Sequence, residues 1–111
     1  MKQTLLAALL SIHNDPYPFT GICSQVEEFT KDDSHEDRTQ MQELLYELFE
    51  SWPKYSGQRD YPIPHPDPQH LPQEAYISNS QYHWDRTTPY GVLRWELLEF
   101  CIAQLESPNG S

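Results

Sequence analysis

Apolar residues return along this chain at helical spacing in four places. The clearest run is Met41, Leu44, Leu45, Leu48, Phe49 and Trp52, which falls on one stripe of an α-helix. Ser34 suits its N-cap, and Asp37 three residues on makes a weaker form of the capping box. Glu36 and Asp37 suit the positive end of the helix dipole, and Pro53 stops the helix. Leu5, Leu6, Leu9 and Ile12 predict an earlier helix over residues 2–13, ended by Pro16 and Pro18. A shorter helix is expected over 22–30, started by Thr20 and Gly21. Ile22, Cys23, Val26 and Phe29 share its apolar face, with Glu27 and Glu28 outward. Thr88 and Pro89, a cap followed by proline at the first helical position, open a last helix that runs to about residue 106. Val92, Leu93, Trp95, Leu97, Leu98, Phe100, Cys101, Ile102 and Leu105 leave little of that helix polar. Such a helix is expected at the centre of the fold or partly buried in a partner.

Residues 53–74 have a different character. Pro53, Pro62, Pro64, Pro66, Pro68 and Pro72 fall there with Gly57, and the alternating prolines after Tyr61 favour polyproline II. We expect an ordered strap pinned by Tyr61 and Ile63. Residues 75–84 hold weak alternation, with Tyr76, Ser78, Ser80, Tyr82 and Trp84 on one side, enough for one short strand or hairpin. The expected fold is therefore mainly α, a compact bundle of about four helices with a proline-rich strap. It forms a single domain over residues 1–111.

Composition supports a packed core. Hydrophobic residues make up 37% of 111, and three Trp, seven Tyr and four Phe argue against disorder throughout. Cys23 and Cys101 both lie in apolar runs and read as reduced core thiols, with a single disulfide as the alternative. Lys2 followed by Leu5 to Leu10 briefly resembles a signal peptide. However, the run is short, is broken by Ser11 and has no small-residue cleavage site before His13. No segment approaches the roughly 20 apolar residues that span a membrane. A soluble, intracellular protein is the expectation.

Charge adds more. The formal net charge is −10, and nine of the 17 carboxylates lie between Glu27 and Glu50, with only Lys31 and Arg38 against them. Direct nucleic-acid binding is disfavoured, because it needs Lys and Arg to displace phosphate counterions. Two readings remain for the strip: a solvated helix face, or a row of carboxylates that imitates phosphates and fits a basic groove. On the second reading the partner-binding residues are Glu27, Glu28, Asp32, Asp33, Glu36, Asp37, Glu43, Glu47 and Glu50. Among the aromatic residues, core packing is the default. Tyr61, Tyr82 and Trp84 have polar neighbours and are the candidates for exposed anchors. Arg59, Arg86 and Arg94 are expected to pair internally with carboxylates, Arg94 above all, since burying it unpaired is costly.

Candidate chemistry is sparse. His65, Asp67, His70 and His83 invite a metal, but the chain has no CxxC pair, and surface histidines are the simpler reading. A cysteine–histidine pair would need an accessible, polar thiol, which neither Cys23 nor Cys101 offers. No Gly-rich phosphate loop, G-x-S-x-G or H-E-x-x-H occurs. No cofactor, metal or enzymatic activity is expected.

Four blocks carry a resemblance. They are Gly21-Ile22-Cys23, the run from Leu48 through Trp52-Pro53-Lys54-Tyr55-Ser56-Gly57, Tyr61-Pro62-Ile63-Pro64, and the run from Tyr90 through Arg94-Trp95 to Phe100. Together they resemble a group of small acidic phage-encoded proteins. The resemblance implies an accessory protein in the host cytoplasm that binds and disables a host protein. Counter-defence, as an anti-CRISPR or anti-restriction inhibitor, is the leading expectation, and it brings no catalytic residues. The alternative is a self-associating structural or assembly protein, a homodimer through the last helix with Trp95 and Phe100 at its interface.

Overall fold

Four helices follow in chain order: α1 (Lys2–His13), α2 (Ile22–Phe29), α3 (His35–Ser51) and α4 (Pro89–Glu106). They belong to a computed structural model that describes residues 2–15, 21–59, 62–64 and 84–106. Among the described residues there is no strand, and the mainly α bundle expected from the apolar spacing is what forms. The strand expected over 75–84 lies outside the described residues, Trp84 excepted.

Both ends of α3 and the start of α4 have local causes. Ser34, in extended conformation, caps α3 by accepting the Asp37 N–H at 3.1 Å. At the other end Trp52 N–H bonds Phe49 O (3.1 Å), and Pro53 forbids another turn. Thr88 caps α4, its hydroxyl accepting from Gly91 N–H at 3.0 Å and donating to Asp85 O at 2.9 Å. Asp85 Oδ1 accepts from both the N–H and the hydroxyl of Thr87, and these bonds hold its carboxyl below its ordinary pKa. Gly91 packs so closely on this turn that a Cβ would collide with the Asp85 carbonyl oxygen and stand 2.6 Å from its carbon. Only glycine fits there.

The core is built from one stripe per helix. α1 contributes Leu5, Ala8, Leu9 and Ile12, α2 contributes Ile22 and Val26, and α3 contributes Met41, Leu45 and Phe49. α4 buries Tyr90, Trp95, Leu97, Leu98, Cys101 and Ile102. α1 and α3 each pack against all three other helices, and α4, expected at the centre, packs chiefly on α1 and α3 while burying the most residues. Leucine and alanine on α1 allow that close approach on several sides. In the strap Ser56 N–H bonds Pro62 O (3.0 Å) and Ile63 is buried, so Ile63 pins residues 62–64 as expected. Tyr61 lies outside the described residues.

Two further expectations are corrected. Phe29 does not join the α2 core face: it is 48% exposed. α2 ends at that residue, and Thr30 turns inward instead, its hydroxyl bonding Val26 O at 2.8 Å. Trp95 does not face a dimer partner, because it is buried within this chain. Its indole N–H donates to Trp84 O at 2.8 Å, and its ring meets the edges of Trp84 and His13, at centroid distances of 5.0 and 5.8 Å.

The α4 start can be tested directly. Thr88→Ala removes one cap bond and is expected to cost about 1 kcal/mol, or ~5 °C in Tm by circular dichroism. Gly91→Ala must displace the Asp85 backbone and is expected to lower Tm well beyond that. Equal losses in the two variants would refute the close approach.

Candidate functional site

The carboxylates are brought together by a turn. After α2, Asp33 N–H bonds Thr30 O (3.0 Å) and Lys31 N–H bonds Glu28 O (3.4 Å), so the chain reverses within a few residues before Ser34 opens α3. Glu27 and Glu28 on the end of α2, Asp32 and Asp33 in the turn, and Glu36 and Asp37 on the first turn of α3 thus gather at one end of the bundle. Glu43, Glu47 and Glu50 continue down α3. All nine side chains are exposed.

Cations divide this face unequally. Arg59 reaches back from the strap, with Nε 2.6 Å from Glu50 Oε1 and Nη1 3.4 Å from Glu43 Oε2, and it covers the Tyr46 ring at 5.2 Å. The Glu50 bond is the main cause that holds the Arg59 pKa above its ordinary value. Lys31 Nζ lies 3.1 Å from Glu28 Oε1. Glu27, Asp32, Asp33, Glu36, Asp37 and Glu47 form no ion pair among the described residues. The unscreened negative charge therefore concentrates at the α2–α3 end. The Lys31–Glu28 pair was legible from its three-residue spacing. Arg59, beyond Pro53, carried no positional signal.

The aromatic candidates fare differently. Trp84 was expected as an exposed anchor, but it is 5% exposed. The indole of Trp95 packs on its edge and takes its carbonyl, so the polar neighbours in sequence do not surround it in space. Tyr61 and Tyr82 lie outside the described residues. Trp52, Tyr90 and Trp95 are buried, in keeping with core packing.

Of the arginines, Arg59 pairs with carboxylates as expected, and among the described residues the other two do not. Arg86 stacks on Trp95, its guanidinium carbon 3.9 Å from the ring centroid. Arg94 is buried among Trp84, Tyr90 and Cys23 with no carboxylate paired to it among the described residues. Burial is the main cause that pushes its pKa down, partly offset by Tyr90 and Cys23. The α4 stripe carries it inward because positions 90, 94, 97, 98 and 101 share one face.

Cys23 and Cys101 form no disulfide among the described residues; Cys23 is half-buried and Cys101 fully buried. Burial, with the Cys23 charge as a lesser cause, pushes the Cys101 thiol up to about 12. It is therefore protonated and unreactive at neutral pH. His65, Asp67, His70 and His83 lie outside the described residues, and among those described no group of three His, Cys, Asp or Glu is placed to hold a metal. Likewise no described helix is long and apolar enough to cross a membrane.

No family model, no curated protein and no solved structure matches this chain.

The buried thiol predicts a pH dependence. Unfolded, Cys101 releases its proton near the ordinary 9.0, whereas the folded state keeps it until about 12. The native state binds more protons across that window, so stability falls as pH rises through it, by at most about 1.4 kcal/mol per unit. Urea unfolding below and above pH 9.0 should show a steeper loss for wild type than for Cys101→Ala. Identical slopes would mean that the thiol titrates normally.

Proposed function

We propose that this is a non-enzymatic binding protein whose acidic α2–α3 face docks on a basic, nucleic-acid-binding surface of another protein and blocks it. The observation that supports this reading is the exposure of all nine carboxylates together with the lack of ion pairs at Glu27, Asp32, Asp33, Glu36 and Asp37 among the described residues. A merely solvating face would gain as much from interspersed cations, which also lower self-repulsion. Along α3 the carboxylates from Glu36 to Glu50 rise ~21 Å at 1.5 Å per residue. That length matches about six base-pair steps of duplex DNA. Long-range attraction would speed encounter with a basic groove and make binding salt-sensitive.

The resemblance to small acidic phage proteins supplies the setting. In that setting the protein is a phage accessory factor in the host cytoplasm, and the blocked partner belongs to host defence, as in anti-CRISPR or anti-restriction inhibition. The protein itself touches no nucleic acid.

Expression in bacteria armed with a defined CRISPR or restriction system tests both parts. Wild type should restore plating of a targeted phage in one of those systems. There the purified effector should bind it in a salt-dependent way. The quadruple variant Asp32→Asn, Asp33→Asn, Glu36→Gln, Asp37→Asn should weaken binding at least ~10-fold, an increment of about 1.4 kcal/mol. Glu43→Gln with Glu50→Gln should weaken it less, since Arg59 already screens those groups. Plating restored equally by the quadruple variant would remove the electrostatic mechanism. No restoration in any system would remove the counter-defence role.

A further inference from the structure

Phe29 is the last residue of α2 and is 48% exposed. The core does not draw it in, because Thr30 beyond it takes the inward place and bonds Val26 O at 2.8 Å. A polar side chain would serve packing equally well at such a position. Single apolar residues on a surface are ordinary, so exposure alone means little. Among the described residues, however, only Phe29 and Val92 are large hydrophobics left exposed, and their surroundings differ. Val92 stands on the apolar helix α4, next to half-buried Leu93. Phe29 follows Glu27 and Glu28 and precedes Asp32, Asp33, Glu36 and Asp37, with Lys31 the one Lys or Arg from 27 to 37.

An open ring inside a negative field restricts what can cover it. A lipid surface also takes up exposed aromatic rings, but its anionic headgroups would be repelled here. A groove that grips a nucleic-acid backbone by charge alone would gain nothing from the ring. Grooves that hold unstacked bases are different, since they place aromatic side chains among Lys and Arg. Such a groove complements both parts of this surface. Its cations meet the carboxylates, and its aromatic platforms meet the ring in stacked or edge contact.

We propose that Phe29 is the anchor of the acidic face and takes the place of a nucleobase, while the carboxylates around it take the places of phosphates. The partner is then a protein with a base-stacking groove, aromatic platforms bordered by Lys and Arg. This inference rests on the docking role proposed for the α2–α3 face and narrows the kind of surface that face fits. A buried apolar centre with a charged rim is the usual anatomy of a protein interface, and a few central side chains carry most of its energy. The carboxylates supply attraction over distance, and the ring supplies short-range preference once the surfaces meet.

Two synthetic peptides of equal length and charge, one a Lys-Trp-Lys repeat and the other a Lys-Ser-Lys repeat, provide the test. Each is titrated into the ¹⁵N-labelled full chain at constant ionic strength. The tryptophan peptide should bind wild type at least ~10-fold more tightly, a difference of about 1.4 kcal/mol. Its saturable shifts should centre on the Glu28, Phe29 and Thr30 amides. Phe29→Ser should bring the two affinities together, and Phe29→Trp should keep them apart. Equal affinities for wild type, or a preference that survives Phe29→Ser, would overturn the anchor and leave the electrostatic face standing. If neither peptide binds, or if binding does not weaken with salt, the face itself is overturned and the anchor with it. Should Phe29→Ser fail to fold, the wild-type preference and the place of its shifts decide, and shifts centred away from Phe29 would overturn the anchor.

Discussion

The Trp95 indole is a large apolar surface with one polar atom, and burying it requires an acceptor for its N–H. Trp84 O supplies that acceptor at 2.8 Å, which binds the chain ahead of α4 to a fixed point on the helix. Other constraints follow from this bond. The turn from Asp85 to Thr88 must fold tightly against α4, so position 91 has no room for a side chain. The His13 ring meets Trp95 at its edge, and His13 Nε2 lies 3.2 Å from Glu99 Oε2, which fixes the end of α1 against α4. Arg86 covers Trp95 at 3.9 Å. One hydrogen-bonded ring thus sets how α1, α4 and the segment before α4 meet.

With the interior filled by aliphatic and aromatic side chains, the carboxylates go outside. Their distribution, more than their number, distinguishes the two ends of α3. At its C-terminal end Arg59 bridges Glu43 and Glu50, while at its N-terminal end the carboxylates face water without ion pairs among the described residues. Some of that acidity has a local use, since Glu36 and Asp37 complement the helix dipole. The dipole does not account for Asp32, Asp33 and Glu27, which lie outside the first turn of α3. Exposed pairs such as Arg59–Glu50 add little stability, so their main effect is to shape the field that a partner would meet.

Arg94 breaks the general pattern of charge outside and apolar groups inside. Its stem follows the buried stripe of α4, and its head ends between two rings and the start of α2. Leucine or methionine of similar volume would fill such a position without the desolvation cost of a guanidinium. Within the fold the Trp84 and Tyr90 rings hold the guanidinium and offset part of that cost.

The sequence by itself determined the local structure. The spacing of Met41, Leu45 and Phe49 defines α3, Ser34 and Pro53 bound it, and Thr88-Pro89 opens α4, because helix periodicity and capping act over a few residues. It also determined that the strip from Glu27 to Glu50 would be acidic and outward, since its carboxylates alternate with an apolar stripe. Only the tertiary structure decided what meets what. Trp84 has polar neighbours in sequence yet lies buried, because Trp95, eleven residues away, needs its carbonyl. Phe29 has the spacing of a core residue yet ends exposed, because α2 stops there and Thr30 takes the inward position. Arg59 and Arg94 looked alike as sparse cations. One crosses the strap to two glutamates and the other turns inward away from every described carboxylate, because pairing between distant segments depends on how the helices pack and not on spacing along the chain.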